Sequence, residues 1–340
     1  MNMILRHKRV FGLLIGIVIY GLIPVFIKSP YYLDLFIAVL VNAVLGMMFI
    51  MTLRTGLINM GVIPFLGIGA YASAILSTKL HLSVWACMPL ATIFTAVIAL
   101  ILGALLISSG SGGLSFVMLT SVIGMIFSVL IGNTPFLGAW NGIPNIPPPE
   151  AITLPFLTIA FVNKIPFFYL AMLIFLIVIL ASNAFYSAWT GTACNAIGTN
   201  SRLAESIGIN IFRYRLAAFV LSSTLCGLIG SFFAHYQTFV VPDSFGMWQN
   251  IYVQIYAILG GMSFATLGPL VGSAVMTFFP EMIRSTREAG PIFTGIILVL
   301  LIMFLPEGLL GIGKYRHNLQ SVKKALSSMF SKSKSGARPI

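Results

Sequence analysis

Charge is the scarcest property of this chain. Asp, Glu, Lys and Arg make up 8% of its 340 residues, where a soluble globular domain carries roughly 25%. Acid is scarcer still: only Asp34, Glu150, Glu205, Asp243, Glu281, Glu288 and Glu307. With 59% of residues hydrophobic, a soluble domain of this size is excluded, because only lipid tolerates such a surface. In lipid the backbone must satisfy its own polar groups, which leaves helices or closed barrels. A barrel would show alternating segments of about ten residues. The apolar runs here are long and continuous, so the expected fold is all-α, a polytopic transmembrane helix bundle.

Catalytic constellations are missing as well. The cysteines, Cys87, Cys194 and Cys226, are odd in number and scattered, giving neither a disulfide framework nor metal-ligand spacing. There is no HExxH, no GxSxG elbow and no Walker A loop, so ATP hydrolysis by that route is excluded. The histidines, His7, His81, His235 and His317, are far apart and fall in predicted flanks. An ion-coupled carrier would place acids at membrane depth. Asp34 sits about one turn inside its predicted span, and Glu281 and Glu307 sit at span ends, so all three read as solvated flanks. No enzyme chemistry, metal or cofactor is expected on this chain.

What is present is a series of apolar runs: 11–27, 31–53, 57–77, 83–107, 114–131, 166–187, 216–234, a broken region 248–283, and 291–306. Met1 to Ile27 has a basic end and an apolar run. Lys28-Ser29-Pro30 lacks a small-x-small cleavage site, so the run reads as an uncleaved span. Of the 19 Lys and Arg, seven lie after residue 313 and three in the first nine. That is the bias of cytoplasmic flanks rather than a nucleic-acid face. Arg6, Lys8 and Arg9 place the N-terminus inside, and six crossings later the loop 188–215 returns inside with Arg202, Arg213 and Arg215. The segment 132–165, rich in Pro and Gly, then lies outside. Reading 248–283 as two short crossings, broken at Gly260-Gly261 and Gly268-Pro269, gives about ten spans and a cytoplasmic C-terminus. Residues 1–312 form the membrane domain and 313–340 a basic tail. In the tail Leu319, Val322, Leu326, Met329 and Phe330 fall at helical spacing among lysines, as on a lipid-surface helix; a solvated tail fits equally well.

Two glycine- and proline-bearing pieces occupy roughly corresponding places in the two halves. The first is Gly56-Leu-Ile-Asn-Met-Gly61 leading into Pro64-Phe-Leu-Gly67-Ile-Gly69-Ala70-Tyr71. The second is Gly268-Pro269-Leu-Val-Gly272-Ser-Ala274. Paired broken helices point to a central pathway. The candidate pathway residues are therefore Asn59, Pro64, Gly67, Gly69, Tyr71, Gly260, Gly261, Gly268 and Pro269, with Asn42, Asn133 and Thr134 as further neutral polar groups. Close helix packing through small residues explains the same pattern. Hydroxyls, amides and backbone dipoles suffice to pass a zwitterion.

The loop 188–215 carries the sharper signal. Asn200 is a good N-cap and Gly208 a good C′ stop. Between them Ser201, Arg202, Leu203, Ala204, Glu205, Ser206 and Ile207 make a short amphipathic helix, with Leu203, Ala204 and Ile207 on its apolar face. Such a projection suits a partner's groove or the membrane surface.

The stretch Ala196-Ile-Gly-Thr-Asn-Ser-Arg-Leu-Ala-Glu205-Ser-Ile-Gly208-Ile-Asn210-Ile-Phe-Arg213-Tyr214-Arg-Leu-Ala-Ala-Phe219 resembles the coupling loop of ABC importer permeases of the branched-chain amino acid family. Ala234-His-Tyr236, Val241-Pro-Asp-Ser-Phe245, Leu259-Gly-Gly261, Leu267-Gly-Pro269-Leu-Val-Gly272, Pro306-Glu-Gly-Leu-Leu-Gly311 and Asn141-Gly-Ile-Pro144 are similar too, so the resemblance runs from about residue 45 to 311. It implies a bacterial inner-membrane permease that docks cytoplasmic ATPases through residues 200–208. It further implies a second permease, a periplasmic binding protein, and ATP with Mg bound by the partner ATPases. The family's usual turns are altered at Asn59-Met-Gly-Val-Ile-Pro64 and Phe136-Leu-Gly-Ala-Trp140. Urea, amides and other small polar solutes therefore stay beside branched-chain amino acids as substrates. An ion-coupled carrier or channel stays as the other mechanism.

Overall fold

The computed structural model describes residues 20–27, 29–110, 112–154, 157–283 and 308–311, together with positions 16, 295 and 299. Residues 11–15 and 17–19 of the expected span 11–27, nearly all of 291–306, and the basic tail lie outside the described residues.

A short helical turn, Ile23–Phe26, leads into α1, Pro30–Leu53. Then come α2 (Val62–Thr78), α3 (Val84–Ser108), α4 (Leu114–Gly132), α5 (Lys164–Ser187), α6 (Trp189–Thr199), α7 (Ser201–Ser206), α8 (Ile211–Gln237), α9 (Met247–Gly260) and α10 (Leu267–Ile283). Among these, α1, α3, α4, α5 and α8 are long and apolar enough to cross a membrane, while α2 is a shorter apolar helix. The broken region 248–283 is two helices, α9 and α10, joined by a turn. Non-helical pieces gather between α4 and α5. Two 3-10 turns, Pro135–Leu137 and Ala139–Asn141, precede a hairpin of β1 (Ile152–Leu154) and β2 (Leu157–Ile159). The hairpin is antiparallel, with Ile152 opposite Ile159 and Leu154 opposite Leu157. It is the one departure, among the described residues, from purely helical regular structure.

α8 is the central helix, packed on α2, α3 and α1, while the α9–α10 pair lies along α1. Glycine sets the closest crossings. A Cβ on Gly69 would stand 2.2 Å from the Gly227 carbonyl oxygen, and one on Gly230 would stand 2.0 Å from that of Leu66. The α2 and α8 backbones therefore touch directly. In lipid there is no hydrophobic drive between helices, so such close van der Waals approach is what holds them together. Elsewhere the core fills with large side chains; Phe65, Phe116, Phe168, Phe219, Phe232 and Phe245 are all fully buried. α4 is the least embedded long helix. It buries Phe116, Thr120 and Gly124, one turn apart on one face, while Met118, Val122, Met125, Ile126 and Val129 point outward.

Charged side chains sort to the two ends. At one end Asp34 meets Lys164 at 3.1 Å, the Tyr236 hydroxyl donates to Asp34, and Ser83 donates to Glu150 at 2.8 Å. Lys79 lies over the Phe136 ring, 3.5 Å from its centre. Asp34 thus has an ion-pair partner rather than being merely solvated. At the other end Arg54, Arg215 and the 188–215 loop come together. Within the described helices α2, α3, α4 and α9 there is no charged residue.

Candidate functional site

The 188–215 loop is built by two capped helices. Asn200 holds an extended backbone, and its Oδ1 accepts from the Leu203 N–H at 3.1 Å, starting α7. Gly208 ends it with φ +86°, a left-handed conformation that glycine adopts without a Cβ penalty. Asn210 repeats the device for α8, accepting from the Arg213 N–H at 3.0 Å. Of the three residues expected on the apolar face of α7, only Ala204 is buried. Leu203 and Ile207 are 62% and 69% exposed, so two large aliphatic side chains stand free of this chain's own core. Ser201 is half-buried, while Arg202, Glu205 and Ser206 are exposed.

α6 anchors this projection. It buries Ala193, Cys194 and Ile197. Burial pushes the Cys194 thiol up to about 11. At its end Gly198 packs onto the α1–α2 turn, where a Cβ would come within 2.3 Å of the Arg54 carbonyl oxygen. Arg215 Nε donates to the Thr55 carbonyl at 3.3 Å. The Arg54 guanidinium lies over the Tyr186 ring at 4.5 Å and reaches the Ser263 carbonyl at 3.5 Å.

The α1–α2 turn then leads inward. α2 begins at Val62, inside the protein, where the unpaired N–H groups of a helix start must find partners. They find side chains. The Gly61 N–H donates to Asn59 Oδ1 at 2.7 Å, the Met60 N–H to Thr120 Oγ1 at 3.1 Å, and the Ile63 N–H to Asn250 Oδ1 at 3.1 Å. Irregular backbone at membrane depth is tolerated only with such satisfaction. Beside it lies a small cleft, with about 10 Å³ of space, lined by Met60, Ser121, Gly124, Met125, Met247 and Asn250. It has no charged residue and three thioethers.

None of the first-half candidates lines this cleft, and they play different parts. Asn59 holds the turn, and Pro64 faces Gly124 across the α2–α4 contact, 3.0 Å from where a Cβ would sit. Gly67 is covered by the Phe127 and Phe245 rings, and Gly69 by the Gly227 backbone. The Tyr71 ring stands edge-on to Phe127 and Phe245, and its buried hydroxyl has no hydrogen-bond partner among the described residues. The second-half candidates lie elsewhere. Gly260, Gly261 (φ +108°) and Gly268 form the tight α9–α10 junction, with Gly308 laid against it, and Pro269 packs on Gly46 of α1. None of these four lines the cleft.

Three groups were not legible as site residues. The cleft's α4 and α9 contributions, Ser121, Met125, Met247 and Asn250, sit in runs that match no binding motif. His235, expected in a flank, is fully buried. It lies 2.8 Å from Ser73 Oγ and 2.8 Å from the Pro147 carbonyl, while Ser231 donates to Ser73 at 2.7 Å. The cluster of Asp34, Lys164 and Tyr236 joins three helices that sequence separation hides.

A bundle of long apolar helices, charged only near their ends, around a satisfied, irregular interior turn defines a multi-pass membrane protein. Residues 30–305 match the family described as branched-chain amino acid transport system / permease component, and the chain belongs to that family. Its members are membrane permease components and not enzymes. Two curated relatives carry the name high-affinity branched-chain amino acid transport system permease protein LivM. The one from Salmonella typhimurium is 28% identical over 286 residues, covering 78% of this chain and 67% of the relative. The one from Escherichia coli is 29% identical over 275 residues, covering 75% and 64% respectively. The matched stretch thus spans about two thirds of those relatives' length. No solved structure matches. Among the described residues no group of three His, Cys, Asp or Glu could hold a metal ion.

Proposed function

We propose that this chain is a permease subunit of an ABC importer in a bacterial inner membrane. It would form the pathway for branched-chain amino acids with a second permease. Cytoplasmic ATPases, which bind ATP and Mg, drive it, and a periplasmic binding protein delivers the solute. The observation that carries this reading is the capped helix α7, which presents Leu203 and Ile207 outward on a loop anchored at both flanks. Exposed aliphatic side chains on a short rigid helix suit insertion into a partner's groove. The small α2–α4–α9 cleft is uncharged and lined by adaptable thioethers, so its walls carry nothing that would repel an aliphatic solute passing beside them. The names of the LivM relatives support the same substrate class.

The test is purification of the tagged chain from its own membrane, followed by reconstitution. ATPase subunits and a second permease should copurify, and hydrolysis should rise with loaded binding protein. Glu205→Arg places an opposite charge on the exposed face of α7. Gly208→Val forces a β-branched residue to φ +86°. Both variants should assemble as membrane proteins yet lose most of the stimulated hydrolysis. Full stimulation in both would overturn the docking role of residues 200–208. Solute transport by the chain alone in liposomes would favour an ion-coupled carrier instead.

A further inference from the structure

The α1–α2 turn touches the two halves of the site at once. Its start is held by the 188–215 loop and its end forms one wall of the cleft. At the start Gly198 lies so close that an added Cβ would meet the Arg54 carbonyl oxygen at 2.3 Å and the Gly56 nitrogen at 3.3 Å. Gly56 itself has φ +77°, so the turn is bent to receive this contact. Arg215, from the first turn of α8, donates to the Thr55 carbonyl at 3.3 Å. At the far end Met60 lines the cleft.

The segment between is packed and bonded at both of its ends. Thr55 and Leu57 are fully buried and Asn59 nearly so. Thr55 bonds back to Thr52 through both its N–H, at 2.9 Å, and its hydroxyl, at 2.7 Å. Asn59 closes on Gly61 at 2.7 Å. Of residues 54–61 only Ile58 is exposed, and Leu57 packs into the core, so the turn is held along most of its length. Movement at Gly56 therefore arrives at Met60, whose N–H is tied to α4 through Thr120, and at Ile63, tied to α9 through Asn250. The cleft's own walls, α4 and α9, are thus bonded to the turn that the loop grips.

We propose that residues 54–61 are the element that transmits movement of the 188–215 loop to the cleft, with Gly198 and Arg215 as the positioning residues that join loop to turn. This rests on the importer reading above. Gly198 is outside the docking helix, and Arg215 acts on a backbone carbonyl, so neither touches nucleotide or solute.

The test uses the complete reconstituted importer and reads ATP hydrolysed per solute transported. Gly198→Ala inserts a methyl group between loop and turn, and Arg215→Met removes the donor to Thr55. Each should leave hydrolysis close to the parent's and raise the ATP-to-solute ratio by about tenfold, within the range expected when a coupling contact is broken. Arg215→Lys, which restores a donor, should recover much of the ratio. A second readout does not depend on turnover: in a Met60→Cys background, the rate of thiol labelling should change on ATP addition. That response should vanish when Gly198→Ala or Arg215→Met is added. Undiminished ATP response and an unchanged ratio in both variants would overturn the transmission role alone. A parent complex without ATPase subunits or ATP response would remove the importer reading and this inference with it.

Discussion

His235 and Ser73 meet at 2.8 Å inside the bundle, and the second contact of the ring, to the Pro147 carbonyl, fixes the tautomer of the imidazole. A carbonyl can only accept, so Nδ1 carries the proton given to Pro147 and Nε2 accepts from Ser73. Ser73 in turn accepts from Ser231. One chain of hydrogen bonds thus ties α2, α8 and the segment after α4, with both ring nitrogens used. Ser73→Ala strands Nε2 without a donor in a fully buried position. The expected loss is about 1–3 kcal/mol, seen as a lower melting temperature of the detergent-purified protein. An unchanged melting temperature would mean that water or another hydroxyl replaces Ser73.

The glycines around α2 should rank by what an added methyl would strike. At Gly69 and Gly230 it strikes backbone, at 2.2 Å and 2.0 Å, which can only be relieved by parting α2 from α8. At Gly67 it strikes the edge of the Phe127 ring at 2.5 Å, which a side-chain rotation relieves in part. Gly69→Ala and Gly230→Ala should each cost about 1–3 kcal/mol or more through overpacking, and Gly67→Ala less. Monodisperse yield from size-exclusion chromatography reads this order. Equal yields for all three would show that the α2–α8 contact is looser than described.

Cys194 gives a pH signature outside the membrane spans. Its folded thiol titrates near 11 because it is buried, against about 8.5 for a free cysteine. Between those values the unfolded chain loses the proton and the folded chain keeps it, so this group's contribution to stability falls as pH rises through that window. Thiolate reagents should modify Cys194 on the order of a hundredfold more slowly than an exposed cysteine at pH 8, with the rate still climbing at pH 10. Peptide mass spectrometry isolates its rate from those of Cys87 and Cys226. A plateau near pH 9 would contradict the burial.

Local grammar made much of this chain legible. The apolar runs mark the long helices because lipid demands continuous hydrophobicity. Asn200 and Gly208 mark α7 because capping and left-handed backbone are properties of single residues. The break at Gly260-Gly261 marks the α9–α10 turn for the same reason. What periodicity does not carry is pairing at long sequence distance. His235 looks like a polar residue at a helix end until Ser73, far away in sequence, is placed against it. Asn250 looks like an isolated amide until the free N–H of Ile63 supplies its reason. The hairpin at 152–159 was hidden by the prolines before it. Gly67 and Gly69, adjacent in any sequence argument, diverge in space, one under aromatic rings and the other against bare backbone.

The distribution of charge has an electrical consequence. α2, α3, α4 and α9 carry no charged side chain along their length, and the ionic groups of α1, α5 and α8 stand near the ends of those helices. A membrane potential does work of about 2.3 kcal/mol per 100 mV on each elementary charge that crosses it. Helices that shift without carrying such charges give the field nothing to pull on. Rearrangement of α2, α3, α4 and α9 is therefore electrically silent, and the voltage across the membrane does no work on their side chains.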